Sequence, residues 1–349
     1  MSVDLPNSRE TSCENDRDEI QKRLPEKNCL IRGKNFSFAI GRQLSLGRFG
    51  AVYEVLRHSD GKRFAAKLEL CDGHFHGLNI DYTVLEQTTK KKLKYFPELI
   101  DFGKIQGYFK FIIMSMLDKN LNQLRFLFVE NRFSLSTSLR LGIQTLNALK
   151  ELHSLGYVHR DIKARTYRTT SFSRLAIINQ IHQLSCATNF VVNREPYPNL
   201  KVYIIDFGLC RTYRGADGEI KPPRDKTCFR GTTRYASLSA HYEKEQSPRD
   251  DLESWYYMLI EMTSGDLPWS KMHRDDREEV KKIKLECRTH NGMQLLLKEC
   301  PSVELSRILS YIDNLTYYSQ PDYDFIIQLL NLTARNYAVN FQEPYDWEE

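Results

Sequence analysis

The sequence predicts an α+β fold, with strands in its first part and mostly helices further along. Three observations support this prediction. Apolar residues alternate with polar ones from Phe36 to Ile40, which is typical of a strand. Between Leu135 and Leu152, leucine and isoleucine recur every three or four residues, which indicates an amphipathic helix. Finally, a length of 349 residues permits one large two-lobed domain or two smaller ones, and 41% hydrophobic residues are enough for a sizeable core.

The predicted domain boundaries follow changes in composition along the chain. Residues 1–35 are charged, contain few aromatic residues and are broken by two prolines, so we expect a disordered polar tail.

The overall charge is nearly balanced, with 50 basic and 45 acidic residues and a formal net charge of +5. This balance gives little reason to expect a nucleic-acid partner. No apolar run reaches the ~20 residues that a membrane-spanning helix needs, and the first residues lack a signal-peptide pattern, so we expect no membrane association. We expect a cytoplasmic monomer, with the nucleus as an alternative compartment.

Eight cysteines are scattered along the chain without a C-x-x-C pair, which favours reduced thiols in the cytosol over a disulfide framework. Cys71, His74 and His76 raise the alternative of a zinc site. A fourth ligand is missing and the surrounding loop is polar, so we do not expect zinc there.

The most informative stretch is a charged motif that begins at His159-Arg160-Asp161-Ile162-Lys163-Ala164 and ends with Asp206-Phe207-Gly208. The two parts of this motif can be aligned in two ways, with or without an insertion between them, and we call these alignments registers. If the sequence is uninterrupted, Thr166 lies five residues after Asp161 and forty residues before Asp206. If residues 165–187 are instead an insertion, Asn189 becomes the fifth residue after Asp161. Asp206 then follows seventeen positions after Asn189, a reasonable length for a short β-hairpin. The second register is the one we adopt.

Two further segments precede this motif. The run from Leu44 to Tyr53 reads as a strand, a turn with Gly47 and Gly50, and a second strand. A further predicted strand then ends at Lys67. A strand-turn-strand alone is weak evidence for a function, but its combination with the lysine and the later motif is much more specific.

In this order the motifs resemble those of protein kinases, and other segments are similar to the casein kinase I group and to its tau-tubulin kinase branch. The resemblance runs from about residue 36 to the C-terminus. It implies a two-lobed kinase fold, in which residues 36–117 form a small β-rich first lobe with one main helix and residues 118–349 form a larger, mostly helical second lobe that carries the insertion at 165–187. The segments that carry the resemblance are FRGTTRYAS at 229–237, RDDLES at 249–254, LPW at 267–269 and PDY at 321–323, with PPR at 222–224 and the closing PYDWEE for the branch. Leu238 and Ser239 depart from the usual residues of the group.

The resemblance implies a serine/threonine protein kinase that transfers the γ-phosphate of Mg·ATP to protein substrates, near acidic or phosphorylated residues. Asp161 would accept a hydrogen bond from the substrate hydroxyl, and Lys163 would face the transferred phosphate. Thr232 would bridge these two side chains. Asn189 and Asp206 would bind Mg²⁺ through their oxygen atoms.

The resemblance also implies a set of nucleotide-binding residues. Lys67 would contact the α- and β-phosphates and pair with an acid on the next helix, where Asp81 matches and Glu86 is the alternative. Ser45 replaces the first glycine of the usual loop, so we expect a stiffer hairpin. The full set is Leu44, Ser45, Leu46, Gly47, Arg48, Phe49, Gly50, Ala51, Val52, Ala65, Lys67, Asp81, Met114, Ser115, Met116, Leu117 and Val191.

Two segments beyond the aspartate-phenylalanine-glycine motif complete the expected site. Arg230 and Arg234 could bind the anion of an acidic or phosphorylated substrate, since guanidinium groups match phosphate geometry. They could equally pair with internal acids, and the sequence leaves both interpretations open. Asp251, near the start of a predicted buried helix, would tie that helix to the backbone of the catalytic loop.

Three functions stay open at this point: an active kinase, a pseudokinase that binds nucleotide or protein without turnover, and a non-catalytic interaction module. Every charged catalytic group has a candidate, which favours the active kinase. The insertion is the objection. Closing a loop of that length costs about 3 kcal/mol, but a misplacement of about 1 Å within the catalytic loop can reduce the rate on the order of a hundredfold. We hypothesise that residues 165–187 are absent from the functional protein, because removing them restores both the motif and its spacing.

Overall fold

The computed structural model describes residues 20–47, 49–71, 76–128, 130–163, 188–193, 195 and 198–348. The fold is α+β, as the sequence predicts. The described residues form two compact units. The first holds the described residues up to Lys92 together with Pro97–Leu117, and the second holds Leu93–Phe96 and the described residues from Asp118 onwards.

The first unit is a six-stranded antiparallel sheet with one long helix. The strands lie in the order β1-β2-β3-β4-β6-β5. Their bounds are β1 Leu30–Arg32, β2 Ser37–Leu46, β3 Gly50–Arg57, β4 Arg63–Leu70, β5 Leu99–Ile105 and β6 Phe109–Ser115, and helix α1 spans Gly77–Lys90 between β4 and β5. Alternating apolar residues of β2 and β3, such as Phe38, Ile40, Tyr53 and Val55, are fully or almost fully buried, which explains the period of two in the sequence.

The predicted tail is too long, because the chain is structured from Ile20 onwards. Residues 20–22 form a helical turn, and Leu24 is buried in the core of the sheet. β1 adds a strand to the edge of the sheet, where Ile31 pairs with Phe38. A three-residue strand carries too little alternation to be recognised among charged residues. Residues 1–19 lie outside the described part of the chain.

A single carboxylate holds the turn between β1 and β2. Asp101 on β5 is 1% exposed and accepts hydrogen bonds from the backbone N–H groups of Lys34 at 3.1 Å, Asn35 at 3.0 Å and Phe36 at 2.8 Å. A Cβ atom on Gly33 would collide with this carboxylate, so the turn requires glycine there. The charge of Asp101 thus replaces water as the partner of three backbone donors.

The second unit is mostly helical. Its helices are α2 Leu121–Arg125, α3 Leu135–Ser154, α4 Leu238–His241, α5 Pro248–Ser264, α6 Arg277–Glu286, α7 His290–Leu296, α8 Ser302–Asn314 and α9 Tyr323–Asn336. Short strands form two antiparallel pairs, in which β7 Tyr157–Val158 lies beside β10 Arg211–Thr212 and β8 Phe190–Val192 beside β9 Val202–Ile204. The β8–β9 pair is the short hairpin that the preferred register requires.

Helices α3 and α5 pack closely in the core of this unit. Every side chain of α5 from Trp255 to Ile260 is completely buried. A Cβ atom on Gly142 of α3 would lie 3.0 Å from Leu259, so glycine permits the close approach of the two helices. The indole of Trp255 donates a hydrogen bond to the Thr145 hydroxyl at 3.0 Å, which leaves this buried N–H group satisfied.

A buried lysine, Lys284 of α6, is surrounded by acceptors. Its amino group donates to the carbonyl oxygens of Thr233 at 3.0 Å and Ala236 at 2.6 Å and to Nε2 of His241 at 3.2 Å. Burial lowers the pKa of Lys284 well below its ordinary value. Burial and the charge of Lys284 also lower the pKa of His241 to about 3, so this imidazole is neutral near pH 7. The cluster fixes the backbone that follows Thr232.

Two further observations concern the whole described chain. None of its helices has the length and apolar character required to cross a bilayer. Six cysteines lie in the part of the chain that the structure describes, and none of these six forms a disulfide there.

Asp101→Ala should lower the free energy of unfolding by about 2–3 kcal/mol, because it leaves backbone donors without their charged acceptor. Asp101→Asn should cost less, since its amide oxygen still accepts one or two of the bonds. Urea unfolding at pH 7 measures the change. Asp60→Ala, which removes an exposed ion pair with Arg57, is the matched control and should have little effect. Equal stability of Asp101→Ala and the unmodified chain would contradict the assigned role.

The low pKa of His241 predicts a loss of stability in acid. Its ordinary pKa in the unfolded chain is about 6.5, so between about pH 6.5 and 3 the unfolded state binds a proton that the folded state does not. The free energy of unfolding should therefore fall as the pH decreases through this window, by up to ~1.4 kcal/mol per pH unit from this group.

His241→Gln should flatten that pH dependence, as measured by urea unfolding at several values between pH 7 and pH 5. His58→Gln, at an exposed turn, serves as the control and should keep the slope of the unmodified chain. If His241→Gln and His58→Gln retain the same slope, then His241 is not the group responsible.

Candidate active site

Asp161 is the centre of the best-defined cluster of polar side chains in the second unit. Its carboxylate accepts a hydrogen bond from the Thr232 hydroxyl at 2.8 Å through Oδ1, and it forms an ion pair with Lys163 through Oδ2. The carboxylate is 9% exposed and the lysine side chain 13%. The structure thus brings together three of the four predicted catalytic residues, with Asp161 as the shared partner.

The loop closes at Asn189 in spite of the intervening sequence. The amide Nδ2 of Asn189 donates to the carbonyl oxygen of Asp161 at 2.6 Å, and its backbone N–H donates to the carbonyl oxygen of Lys163 at 3.2 Å. The carbonyl oxygen of Asn189 accepts from the backbone N–H of Ile205 at 2.9 Å, just before Asp206. The geometry therefore matches the second register. Thr166 and the predicted insertion at 165–187 lie outside the described residues.

Asp251 holds the backbone of the catalytic loop, as expected. Its carboxylate accepts from the backbone N–H groups of His159 at 2.6 Å and Arg160 at 2.8 Å, and it contacts Nε2 of His153 at 2.8 Å. Burial alone would raise the pKa of Asp251, but the hydrogen bonds from the His153 side chain and from the backbone N–H of His159 lower it below its ordinary value. Asp251 therefore stays ionised while completely buried. Arg160, with a φ of 66°, has its strained backbone fixed by this clamp.

The Asp206-Phe207-Gly208 segment has one exposed and one buried side chain. Phe207 is 1% exposed and stacks on Phe96 with ring centroids 5.7 Å apart, and it meets the edge of His159 at 5.9 Å. Asp206 is exposed and has a φ of 66°. Burial lowers the pKa of His159, so this histidine is neutral and acts as a packing partner. The buried side chain of Phe207 thus fixes the backbone next to the exposed carboxylate of Asp206.

Gly231 explains how Thr232 reaches the catalytic loop. Its φ is 112°, a conformation that favours glycine, and a Cβ atom there would lie 2.8 Å from the carbonyl oxygen of Arg160. The backbone at Gly231 can therefore lie directly against the catalytic loop at Arg160. Lys284 fixes the residues that follow Thr232, because its amino group donates to the carbonyl oxygens of Thr233 and Ala236.

Arg234 pairs with internal acids, which is one of the two interpretations that the sequence left open. Its guanidinium pairs with Glu261 at 2.6 Å and Asp266 at 3.1 Å. Glu261 is completely buried and also contacts Arg125 and Tyr235. Burial alone would raise the pKa of Glu261, but the charges of Arg125 and Arg234 lower it to about 2. An anion site at Arg234 is therefore not supported, because its charge is already balanced.

Arg230 differs from Arg234. It is exposed, and among the described residues no ion pair to its guanidinium is found. Its backbone carbonyl accepts a long hydrogen bond from Gln246 at 3.4 Å. An anion-binding role for Arg230 stays a prediction.

In the first unit, Lys67 of β4 pairs with Asp81 of α1. The distance between Nζ and Oδ2 is 2.7 Å, and Asp81 is 2% exposed. The alternative acid, Glu86, instead accepts from the Tyr82 hydroxyl at 2.9 Å and pairs with Lys90 at 3.2 Å. Of the two acids considered, the structure therefore places Asp81 beside the lysine.

The segment from Leu44 to Tyr53, which contains Gly47 and Gly50, forms the end of β2, the turn and the start of β3. Leu44, Ser45 and Leu46 end β2, Gly47 donates its N–H to the carbonyl oxygen of Gly50 at 2.8 Å, and Ala51 and Val52 continue β3. Ser45 pairs with Val52 in the ladder. Neither glycine has a positive φ. Gly50 is needed because a Cβ atom there would collide with the carbonyl oxygen of Leu68 on β4. Arg48 lies outside the described residues, and Phe49 is 40% exposed.

The remaining expected nucleotide-binding residues lie in both units. Ala65 of β4 pairs with Met114 of β6, and Ser115 ends that strand before Met116 and Leu117. Val191 lies on β8 in the second unit and is 7% exposed. Their common role in nucleotide binding stays a prediction.

The chemistry of the second unit fits Mg²⁺ as a bound ion. The amide nitrogen of Asn189 is occupied by the carbonyl oxygen of Asp161, which leaves its amide oxygen as the ligand atom. Asp206 contributes an exposed carboxylate, and oxygen ligands of this kind suit magnesium. The zinc alternative lacks such support. His74 lies outside the described residues, and the described ones contain no group of three potential ligands.

Sequence reasoning missed several residues that position the site. Glu261, the buried partner of Arg234, is one, and Lys284 is another. Glu69 is a third, since its carboxylate accepts from the backbone N–H of Leu78 at the start of α1. A signal was present only for Glu69, a charged residue two positions after Lys67 in an otherwise apolar strand and hence on the same face.

Comparison with known proteins shows similarity along most of the chain. A protein of Dictyostelium discoideum named "Probable serine/threonine-protein kinase" is 31% identical over 322 residues, which cover 91% of this chain and 57% of that relative. The chain thus spans little more than half the length of this relative. Serine/threonine-protein kinase spe-6 of Caenorhabditis elegans is 30% identical over 330 residues, which cover 93% of this chain and 79% of spe-6.

No family model matches the chain. The similarity to spe-6 nevertheless extends over most of both proteins, and the Asp161 cluster and the Lys67–Asp81 pair occupy the positions that the kinase motifs predict. The chain belongs to the serine/threonine protein kinases.

Proposed function

We propose that the chain is an active serine/threonine kinase of the casein kinase I group, related to the tau-tubulin kinase branch, that transfers the γ-phosphate of Mg·ATP to protein substrates. The observation that carries this proposal is the Asp161 cluster, in which the carboxylate contacts Thr232 and Lys163 while Asn189 is bonded to its backbone. Its parts come from three separate stretches of sequence. A chain that had lost catalysis would have no chemical need to maintain this arrangement.

The proposed reaction uses the chain's own groups as follows. Asp161 accepts a hydrogen bond from the substrate hydroxyl and takes its proton as the hydroxyl oxygen bonds to the γ-phosphorus, while the bond from that phosphorus to the β–γ bridging oxygen breaks and ADP leaves. Lys163 offsets the negative charge of the transferred group, and Asn189 and Asp206 hold Mg²⁺. In the first unit, Lys67 contacts the α- and β-phosphates and is oriented by Asp81. Mg·ATP supplies the phosphoryl group and part of the positive charge that neutralises it.

The proposed substrate context is acidic or phosphorylated. Arg230 supports it, as an exposed guanidinium beside the segment that carries Thr232. Arg234 does not, since it is paired internally with Glu261 and Asp266. The proposed anion site is therefore reduced from two arginines to one.

The residues on either side of segment 165–187 also bear on whether the functional protein contains that segment. If these residues were removed, Lys163, Ala164, Thr188 and Asn189 would become consecutive. The existing bond from the Asn189 N–H to the Lys163 carbonyl oxygen would then join the first and fourth residues, as in a β-turn. The shorter chain therefore needs no new geometry on either side, which supports our hypothesis that the functional protein lacks the segment.

Asp161→Asn should reduce phosphoryl transfer from Mg·ATP to casein or an acidic peptide by about 10²-fold or more, because the amide cannot accept the proton. Mg·ATP affinity, measured by thermal shift, should change little. The matched control is Asp324→Asn, which alters an exposed ion pair with Lys150 on the surface and should leave transfer unchanged.

The same assays separate the alternatives. A chain that binds Mg·ATP but transfers no phosphate, with or without residues 165–187, would be a pseudokinase. A chain that neither binds nor transfers would be an interaction module. Full transfer activity in Asp161→Asn would show that the proton acceptor has been assigned wrongly.

The variant that joins Ala164 to Thr188 should be at least as active as the full chain and more stable by up to about 3 kcal/mol, the entropy of closing the longer loop. Peptide mass spectrometry of the native protein provides an independent measurement. A peptide across the Ala164–Thr188 junction is expected. A peptide from within residues 165–187 would show that the segment is present and refute the hypothesis.

A further inference from the structure

We propose that Glu69 is a positioning residue that holds helix α1 against strand β4, so that Asp81 reaches Lys67. The proposal deepens the proposed kinase function and rests on it. Glu69 is 6% exposed, and its carboxylate oxygen Oε2 accepts from the backbone N–H of Leu78 at 2.8 Å. This contact lies one helical turn before Asp81.

Two contacts of matched spacing join the strand and the helix. Lys67 and Glu69 are two residues apart on β4 and so face the same side of the sheet. Leu78 and Asp81 are three residues apart on α1 and so lie on the same face of the helix. The Lys67–Asp81 and Glu69–Leu78 distances are 2.7 Å and 2.8 Å. With two such contacts the helix can neither slide along the strand nor lift at its first turn without breaking one.

Helix α1 depends on this external acceptor because it has no strong local one. The side chain of its N-cap residue, His76, makes no capping hydrogen bond to any residue that the structure describes. The first turn contains no acidic residue either. Glu69 supplies both missing features, an acceptor for an unsatisfied N–H group and a negative charge at the positive end of the helix dipole.

Lys110 of β6 completes the arrangement. It stands opposite Glu69 in the antiparallel ladder, and its Nζ lies 2.7 Å from Oε1 of Glu69. The same amino group donates to Oδ1 of Asn79 on α1 at 3.0 Å. The carboxylate is therefore oriented by a cation that itself contacts the helix. Two strands and the start of α1 are joined at one place.

The short side chain of Asp81 makes this anchoring necessary. Aspartate is one methylene shorter than glutamate, so it reaches Lys67 only if the helix lies close to the strand. A helix that is displaced outward by an ångström would lose the ion pair. A glutamate at position 81 would tolerate the same displacement, and this difference allows the role of Glu69 to be separated from a general effect on folding.

The test uses the full chain with four variants, Glu69→Ala, Glu69→Gln, Asp81→Glu and the double change Glu69→Ala with Asp81→Glu. Glu69→Ala should reduce kcat/KM for ATP about tenfold or more, since displacements of about 1 Å can cost up to ~10²-fold. Glu69→Gln keeps an acceptor for Leu78 and should lose less. In the Asp81→Glu background, Glu69→Ala should cost clearly less than it does alone.

Hydrogen exchange provides a readout that does not depend on activity. Glu69→Ala should increase amide exchange of the peptide that covers residues 77–81 at least severalfold, without a comparable increase in β2 or β3. The matched control is Glu54→Gln on β3, another paired strand glutamate, which contacts Arg63 at 2.9 Å. It should change neither exchange in α1 nor kcat/KM.

The outcomes separate the two proposals. If the unmodified chain transfers no phosphate but Glu69→Ala loosens α1, then the kinase function fails and the anchoring of the helix stands. If Glu69→Ala leaves the exchange of residues 77–81 unchanged, the positioning role is overturned. It is also overturned if the cost of Glu69→Ala is equal in the Asp81 and Asp81→Glu backgrounds, because the residue would then contribute only to general stability.

Discussion

The position of the proposed proton acceptor depends on one buried carboxylate. Asp251 accepts the backbone N–H groups of His159 and Arg160, the two residues immediately before Asp161. An ionised carboxylate without partners would be very unstable in such a site, but the N–H groups of His159 and Arg160 and the contact with the His153 side chain favour the ionised form. The strained backbone of Arg160 is thereby held in place. Without this clamp, Thr232 and Lys163 would have no fixed carboxylate to contact.

The same principle recurs where loops or helix ends must be fixed. Asp101 accepts backbone N–H groups of the β1–β2 turn, Glu69 accepts the N–H of Leu78, and Lys284 donates to the carbonyl oxygens that follow Thr232. In each case one buried charge satisfies backbone groups that no helix or sheet ladder serves. These charges lie within the structure and not at its surface, so their effect is weakly screened by salt.

The parts of the structure that could be predicted from sequence are those with local patterns. The alternation in β2, the periodic leucines of α3, and the spacing that requires the β8–β9 hairpin are examples. The pairing of Lys67 with Asp81 could also be expected, because the strand and helix that carry them follow each other directly. The tail was predicted wrongly, because β1 is too short to show a pattern, and the sequence left the role of Arg234 open between two interpretations. Its partner Glu261 lies 27 residues further along, inside a buried helix, and only the fold brings the two together.

The hydrogen bond between Lys163 and Asn189 has an evolutionary consequence. Because the two ends of the interrupted loop are bonded to each other, the length of chain between them is decoupled from the geometry of the residues that surround Asp161. The fold itself therefore places little constraint on the number of residues inserted at this point. Selection would act instead on whether the extra residues obstruct a substrate, which is a matter of access and not of architecture.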